Sequence, residues 1–261
     1  MMIQKIKNNV EYTLAVVLFF LTFFVYFSTM APTVSFWDTG EFIATSYILG
    51  VPHPPGSPLF LLIGKLFSLF PISSDIAFRI NIFSPIISAA TISLLFLICN
   101  QFIERLNNYT TDNSILKFGS SFVASLTFAF THSHWFNAVE AEVYSLSTFF
   151  TTIVVWLILK WSKNHNMPGN YRYILIIGYL LGLATGIHLL NLLTLPFITL
   201  IIYFKNYRLS FQGLAITIFY TGLAFIIIYL GIVKGIPNLA NDYGWQAPFT
   251  MIILIIITIL I

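Results

Sequence analysis

The chain alternates long apolar runs with short polar stretches. The runs are Glu11 to Phe27, Asn81 to Phe102, Phe118 to Phe130, Val143 to Trp161, Tyr173 to Leu190, Leu192 to Phe204, Phe211 to Val233 and Pro248 onward. About 20 apolar residues are needed to cross roughly 30 Å of hydrocarbon, so the pattern predicts about eight transmembrane helices. The runs from Phe118 and Leu192 are shorter than the slab and need flanking residues or a tilt. Between Pro58 and Pro71 the apolar segment Leu59 to Phe70 is too short to span, and is predicted to lie on the membrane surface as an interfacial helix. The fold class expected is all-α: a polytopic transmembrane bundle over residues 1–261, with interfacial helices in a first outer loop over 28–80.

Composition turns this pattern into a solvent argument. With 58% hydrophobic and 8% charged residues and a mean hydropathy of +0.89, the chain has more apolar surface than a soluble domain can hide, so the bilayer must be its solvent. A net charge of +3 is too small to point to nucleic acid. The single Cys99 excludes a disulfide framework or a cysteine metal site and reads as a packing residue. Met1 to Phe27 has the order of a signal peptide, with Thr29-Met30-Ala31 as a cleavage motif, but the many later spans favour an uncleaved first helix. The final run, MIILIIITILI, stops without a flanking charge or aromatic anchor, which gives the expectation of an N-terminal portion of a longer protein.

Lysine and arginine set the orientation. With the N-terminus inside, the inner loops carry Lys5, Lys7, Arg105, Lys117, Lys160, Lys163, Arg172, Lys205 and Arg208, and the outer segments only Lys65, Arg79 and Lys234. The outer side, periplasmic or lumenal, then receives Phe36 to Pro58, the His132 to Glu142 turn and the Gly235 to Ala247 loop. A bacterial inner membrane, or the endoplasmic reticulum in a eukaryote, is the expected location.

Candidate chemistry gathers on that side. Asp38 and Glu41, two of only nine acids, stand at i and i+3, so a helical turn places them on one face, about 5 to 6 Å apart. One reading is a capping box, Asp38-Thr39-Gly40-Glu41, opening a short helix. The other is catalytic: Asp38, partly desolvated beside Trp37 and Phe42, as general base with Glu41 in support. His53, in the rigid Pro52-His53-Pro54-Pro55-Gly56, either belongs to a loop stiffener or binds phosphate or acceptor. Lys65 and Arg79 are the cations nearest this loop. They suit a lipid phosphate at head-group depth, or snorkel to ordinary anionic lipid.

The second outer turn holds His132, His134, Glu140 and Glu142 within eleven residues. H-x-H…E-x-E matches no specific metal spacing, so no metal is assigned and a divalent ion is the lesser alternative. Hydrogen bonding of His134, Glu140, Glu142 and Tyr144 to a polar substrate such as a sugar is favoured. His188 and Asn191 interrupt an apolar run near its outer end, either as an interhelical hydrogen bond or as site lining. Tyr243-Gly244-Trp245 with Asp242 is either a sugar-stacking loop or part of an aromatic belt.

Together Trp37-Asp38-Thr39-Gly40-Glu41-Phe42, Gly50-Val51-Pro52-His53-Pro54-Pro55-Gly56 and Glu140-Ala141-Glu142-Val143-Tyr144 resemble the GT-C superfamily of membrane glycosyltransferases. More narrowly, they resemble the transmembrane O-mannosyltransferase-like family found in Bacteroidetes and vertebrates. The resemblance implies transfer of a sugar, mannose being the first candidate, from a polyprenyl-phosphate donor to a protein serine or threonine on the outer side, with inversion. It implies Asp38 as the first-loop acid that receives or positions the acceptor hydroxyl, and Arg79 with Lys65 as holders of the lipid phosphate. The partners implied are the lipid-linked donor, a protein acceptor and the bilayer. A transporter or lipid-carrier flippase is the alternative; it predicts charges near the midplane and repeated halves, whereas the helix interiors hold almost no charge and show no repeat.

Overall fold

The computed structural model describes residues 2–106 and 114–260. Among these residues the chain is all-helical, as expected where backbone groups at membrane depth must satisfy one another. Two compact units result, residues 1–194 and 195–261.

In the first unit α1 (Met2–Ser28) leads to two short helices, α2 (Thr39–Ile48) and α3 (Pro58–Leu69), which pair as a hairpin. Next come α4 (Ile76–Asn81), α5 (Phe83–Leu106), α6 (Ser114–Ala129), α7 (His132–Ala138), α8 (Val143–Lys163), α9 (Tyr171–Thr185) and a 3-10 turn, Leu189–Leu193. The central helix is α5, packed against α1, α6 and α8. One apolar cluster, including Leu18, Tyr26, Ile92 and Phe96, binds α1 to α5. A second, including Phe42, Phe60, Ile80, Phe83 and Leu146, seats the α2–α3 hairpin on α4, α5 and α8.

The second unit continues from α10 (Thr194–Asn206) through α11 (Phe211–Ile226), a π-helical stretch Ile227–Gly235, α12 (Ile236–Tyr243) and α13 (Gln246–Leu260). The Thr199 and Thr221 hydroxyls lie 2.8 Å apart, and Tyr203 donates to the Arg208 carbonyl at 3.0 Å.

Of the eight predicted spans, five correspond to runs long and apolar enough to cross: Asn9–Ser28, Ile76–Arg105, Val143–Lys163, Leu189–Asn206 and Phe211–Tyr243. A sixth results if α6 and α7, bent by 68° at Ala129–His132, count as one. Of the other two, Tyr171–Thr185 is an apolar helix below that length, and the last predicted run falls on α13, whose described apolar stretch is Gln246–Ile255. Hydropathy marks where an apolar run lies but not how much of it stays helical. The Pro58–Leu69 helix is likewise too short to span, consistent with an interfacial position.

Polar groups divide between the two ends of α5. At the Leu106 end Glu104 accepts from Lys117 at 2.5 Å and Lys163 at 2.9 Å, while Arg105 donates to the Leu159 carbonyl. At the Phe83 end, about 35 Å away at 1.5 Å per residue, lie the loops that carry the candidate chemistry.

Candidate active site

The site begins with a cap that is not made. Asp38 occupies the N-cap of α2, but with φ −77° and ψ −6° its side chain accepts no hydrogen bond from the first turn. A capping aspartate needs an extended backbone; Asp75, at ψ 119°, has one and accepts from the Phe78 amide. The capping box therefore does not form. Asp38 is left with a side chain 60% exposed, so the protein alone does not provide the desolvation anticipated for it.

Glu41 turns instead to His53. Its Oε1 accepts from the His53 backbone N–H at 2.7 Å and its Oε2 lies 2.6 Å from Nδ1. A carboxylate only accepts, so Nδ1 carries the proton. The bond lowers Glu41 from its ordinary range and raises His53 above its own. The opposite ring nitrogen, Nε2, stands 4.0 Å from Asp38 Oδ2. The sequence places a supporting acid beside Asp38; the structure places it one residue further out, orienting the histidine that faces Asp38.

This arrangement depends on the turn between α2 and α3. Leu49 closes α2 in the left-handed region and the Gly50 amide returns to the Thr45 carbonyl. At the other end the Ser57 hydroxyl donates to the Ile187 carbonyl at 2.8 Å, and the Leu59 amide donates to the Gly186 carbonyl at 2.9 Å. The His53 ring rests 5.7 Å from that of Phe42.

The loop before α8 supplies the second wall. Glu142, 5% exposed, accepts from the Thr39 hydroxyl at 3.4 Å, next to Asp38 in sequence. Burial, then the charges of Glu140 and Asp38, push its carboxyl up to about 7. Glu140 is 2% exposed and also raised, mainly by burial, against a hydrogen bond from Ser35. Its Oε1 has no partner within the protein. Flanking this wall, the Tyr144 ring lies 5.2 Å from that of His188. His188 Nδ1 accepts from the Leu190 amide, and Asn191 bridges Thr151 and the His188 carbonyl. That makes Asn191 the interhelical bond between α8 and the 3-10 turn.

Other candidates are engaged elsewhere. His134 is buried, with Phe128 4.7 Å and Tyr26 5.9 Å away between ring centres; the His132–Ala138 segment is a helix, not a tight turn, and turns that ring into the α1 side of the core. Lys65 donates to the Tyr47 carbonyl at 2.6 Å and sits over its ring. Arg79 donates to the Ser73 and Ser68 carbonyls at 2.6 and 3.0 Å. Both cations thus tie the hairpin through carbonyl acceptors. Among the described residues, the group with donors close enough for a divalent cation is Asp38, Glu41 and His53, whose ligand atoms lie within 4.8 Å of one another; His132 and His134 are not part of it. Sequence reasoning overlooked Thr39, Ser35 and Asn81. Of these, only Asn81 carried a signal, a polar residue inside the apolar segment IAFRINIF.

Residues 38–211 match the family described as Protein O-mannosyl-transferase TMEM260 N-terminal domain. Two curated proteins are similar over part of their length. The Protein O-mannosyl-transferase TMEM260 of Mus musculus is 32% identical over 127 residues, covering 48% of this chain and 16% of that protein. Protein O-mannosyl-transferase tmem260 of Dictyostelium discoideum is 27% identical over 204 residues, covering 75% and 23%. The chain thus matches less than a quarter of the length of either relative. No solved structure matches it.

Proposed function

The chain belongs to the family of the Protein O-mannosyl-transferase TMEM260 N-terminal domain, and from that membership and the site geometry we propose that it carries the catalytic face of an integral-membrane glycosyltransferase. The donor in this reading is a polyprenyl-phosphate sugar, mannose by the names of its relatives. The acceptor is a serine or threonine hydroxyl of a protein on the outer side of the membrane.

One observation supports the role of Asp38 above the rest: its carboxylate is released from helix capping and faces a histidine that a second carboxylate orients. The acceptor oxygen attacks the anomeric carbon opposite the phosphate. Its proton passes to Asp38, and the bond to the phosphate oxygen breaks with its electron pair leaving on the phosphate. The product is inverted at the anomeric carbon. His53, whose Nδ1 proton Glu41 holds, turns Nε2 toward Asp38 and orients that carboxylate toward the hydroxyl whose proton it takes. Glu140, with an oxygen free of protein partners, and Glu142 offer acceptors for sugar or acceptor hydroxyls. Lys65 and Arg79 hold the lipid phosphate in this reading, which then competes with the Tyr47, Ser68 and Ser73 carbonyls they bond.

The test is transfer from radiolabelled polyprenyl-phosphate mannose by the full-length protein in membranes. Asp38→Asn is expected to lower turnover by at least about 10²-fold, the scale of a lost general base. Undiminished transfer would remove Asp38 from the chemistry.

A further inference from the structure

Asn81 is fully buried at the C-terminal end of α4. Its amide nitrogen donates to the Ala31 carbonyl at 3.0 Å and to the Thr33 carbonyl at 2.9 Å, while its Oδ1 accepts from the Ala141 amide at 3.0 Å. One side chain therefore grips the segment that leads from α1 to Asp38 and the peptide between Glu140 and Glu142. A backbone bond from the Ala31 amide to the Val139 carbonyl, at 2.8 Å, lies alongside. No other side chain among the described residues is shown bonding to both segments' backbones.

We propose that Asn81 is a positioning residue that sets the spacing between the Asp38 wall and the Glu140–Glu142 wall of the site. Leverage is the physical reason. Thr33 lies five residues before Asp38, and Ala141 directly joins the two acids. The groups Asn81 satisfies are the buried Ala141 amide and two carbonyls on part-buried bonds, so removing it leaves the Ala141 donor unpaired and releases both carbonyls at once. Relief comes by the two loops parting and admitting water. Loss of about an ångström of alignment can cost about 10²-fold in rate, without any contact between Asn81 and substrate.

The activity arm of the test rests on the transfer reading; the spectroscopic arm does not. In purified full-length protein, infrared titration of carboxyl groups follows Glu142, its band identified by Glu142→Gln. In Asn81→Ala the Glu142 midpoint should move from about 7 down toward the ordinary carboxylate range as water enters, and kcat should fall about 10²-fold with a smaller change in KM. A folded Asn81→Ala with an unmoved Glu142 midpoint, or with unchanged kcat in an active preparation, overturns the proposal. If the wild type transfers no sugar, the transfer reading fails, while a shifted midpoint still upholds the clamp. Should Asn81→Ala not fold, Asn81→Asp keeps the size and the acceptor for Ala141 but removes both donors, and the same outcomes apply. Wild-type hydrogen exchange needs no variant: the Ala141 amide should be among the slowest, and rapid exchange there would overturn the clamp.

Discussion

Replacing Glu142 by glutamine isolates one carboxyl whose ionisation the fold opposes. The folded protein raises that group from an ordinary 4.5 to about 7, and each tenfold change in proton affinity is worth 1.36 kcal/mol, which gives about 3 kcal/mol in all. The sign follows from proton binding. Between those two values the folded chain holds a proton that the unfolded chain has released, so this stabilisation is complete below about pH 4.5 and is lost as pH rises through about 7. Glutamine keeps an oxygen to accept from Thr39 and cannot ionise. The side chain is 5% exposed, so solvent screening removes little of the effect. Thermal unfolding of wild type and Glu142→Gln in the same detergent, across pH 5 to 8, should therefore give curves that diverge as pH rises, with the variant the more stable at the alkaline end. Contributions from groups that do not interact with Glu142 cancel in the difference, leaving Glu142 and the coupled Glu140, Asp38 and His53. Parallel curves would show that Glu142 titrates like an exposed carboxyl, and the account of the second wall would fail.

Glu41→Gln removes the charge and the hydrogen bond that raise His53, so the His53 midpoint by NMR should fall toward the ordinary histidine range, with transfer falling off at lower pH than in the wild type; an unmoved midpoint would break the Glu41–His53 link. Gly64→Ala sets a methyl 2.8 Å from the Ser46 Cβ across the α2–α3 hairpin, an overpacking expected to cost about 1–3 kcal/mol and to disturb the His53 turn, whereas Gly178→Ala, with open space around it inside α9, should stabilise by up to about 1 kcal/mol and leave transfer unchanged. Phe96→Ala, fully buried between α1 and α5, should cost about 3–5 kcal/mol in the same melting assay while leaving the Glu142 midpoint in place, because Phe96 lies about 20 Å along α5 from its Phe83 end.

The sequence revealed the apolar scaffold because membrane burial requires composition, and composition can be counted. Helix ends were less visible: the apolar run from Tyr173 continues to Leu190, but the helix Tyr171–Thr185 closes at Gly186 inside that stretch. The spacing of Asp38 and Glu41 predicted a shared face, but the same spacing fits a cap, and only the backbone at Asp38 separates the two. The Glu41–His53 bond spans twelve residues and depends on how the turn folds back, which no periodicity encodes. Arg79 and Lys65 stand out in the sequence as the cations near the first loop, yet their carbonyl partners come from packing. Asn81 escaped notice because a single asparagine at the mouth of a helix looks the same whether it binds three backbone groups or none.

Trp37, the neighbour of Asp38, has φ 57° and stands 85% exposed, a conformation unfavourable for a bulky side chain. With its backbone turned this way, the indole is held out in solvent one residue from the proposed base. In a Trp245→Phe background, which removes the other highly exposed tryptophan, its long-wavelength emission separates from that of buried Trp161. The protein thus contains its own optical gauge of what arrives at Asp38, and occupancy can be read as light before any bond is made or broken.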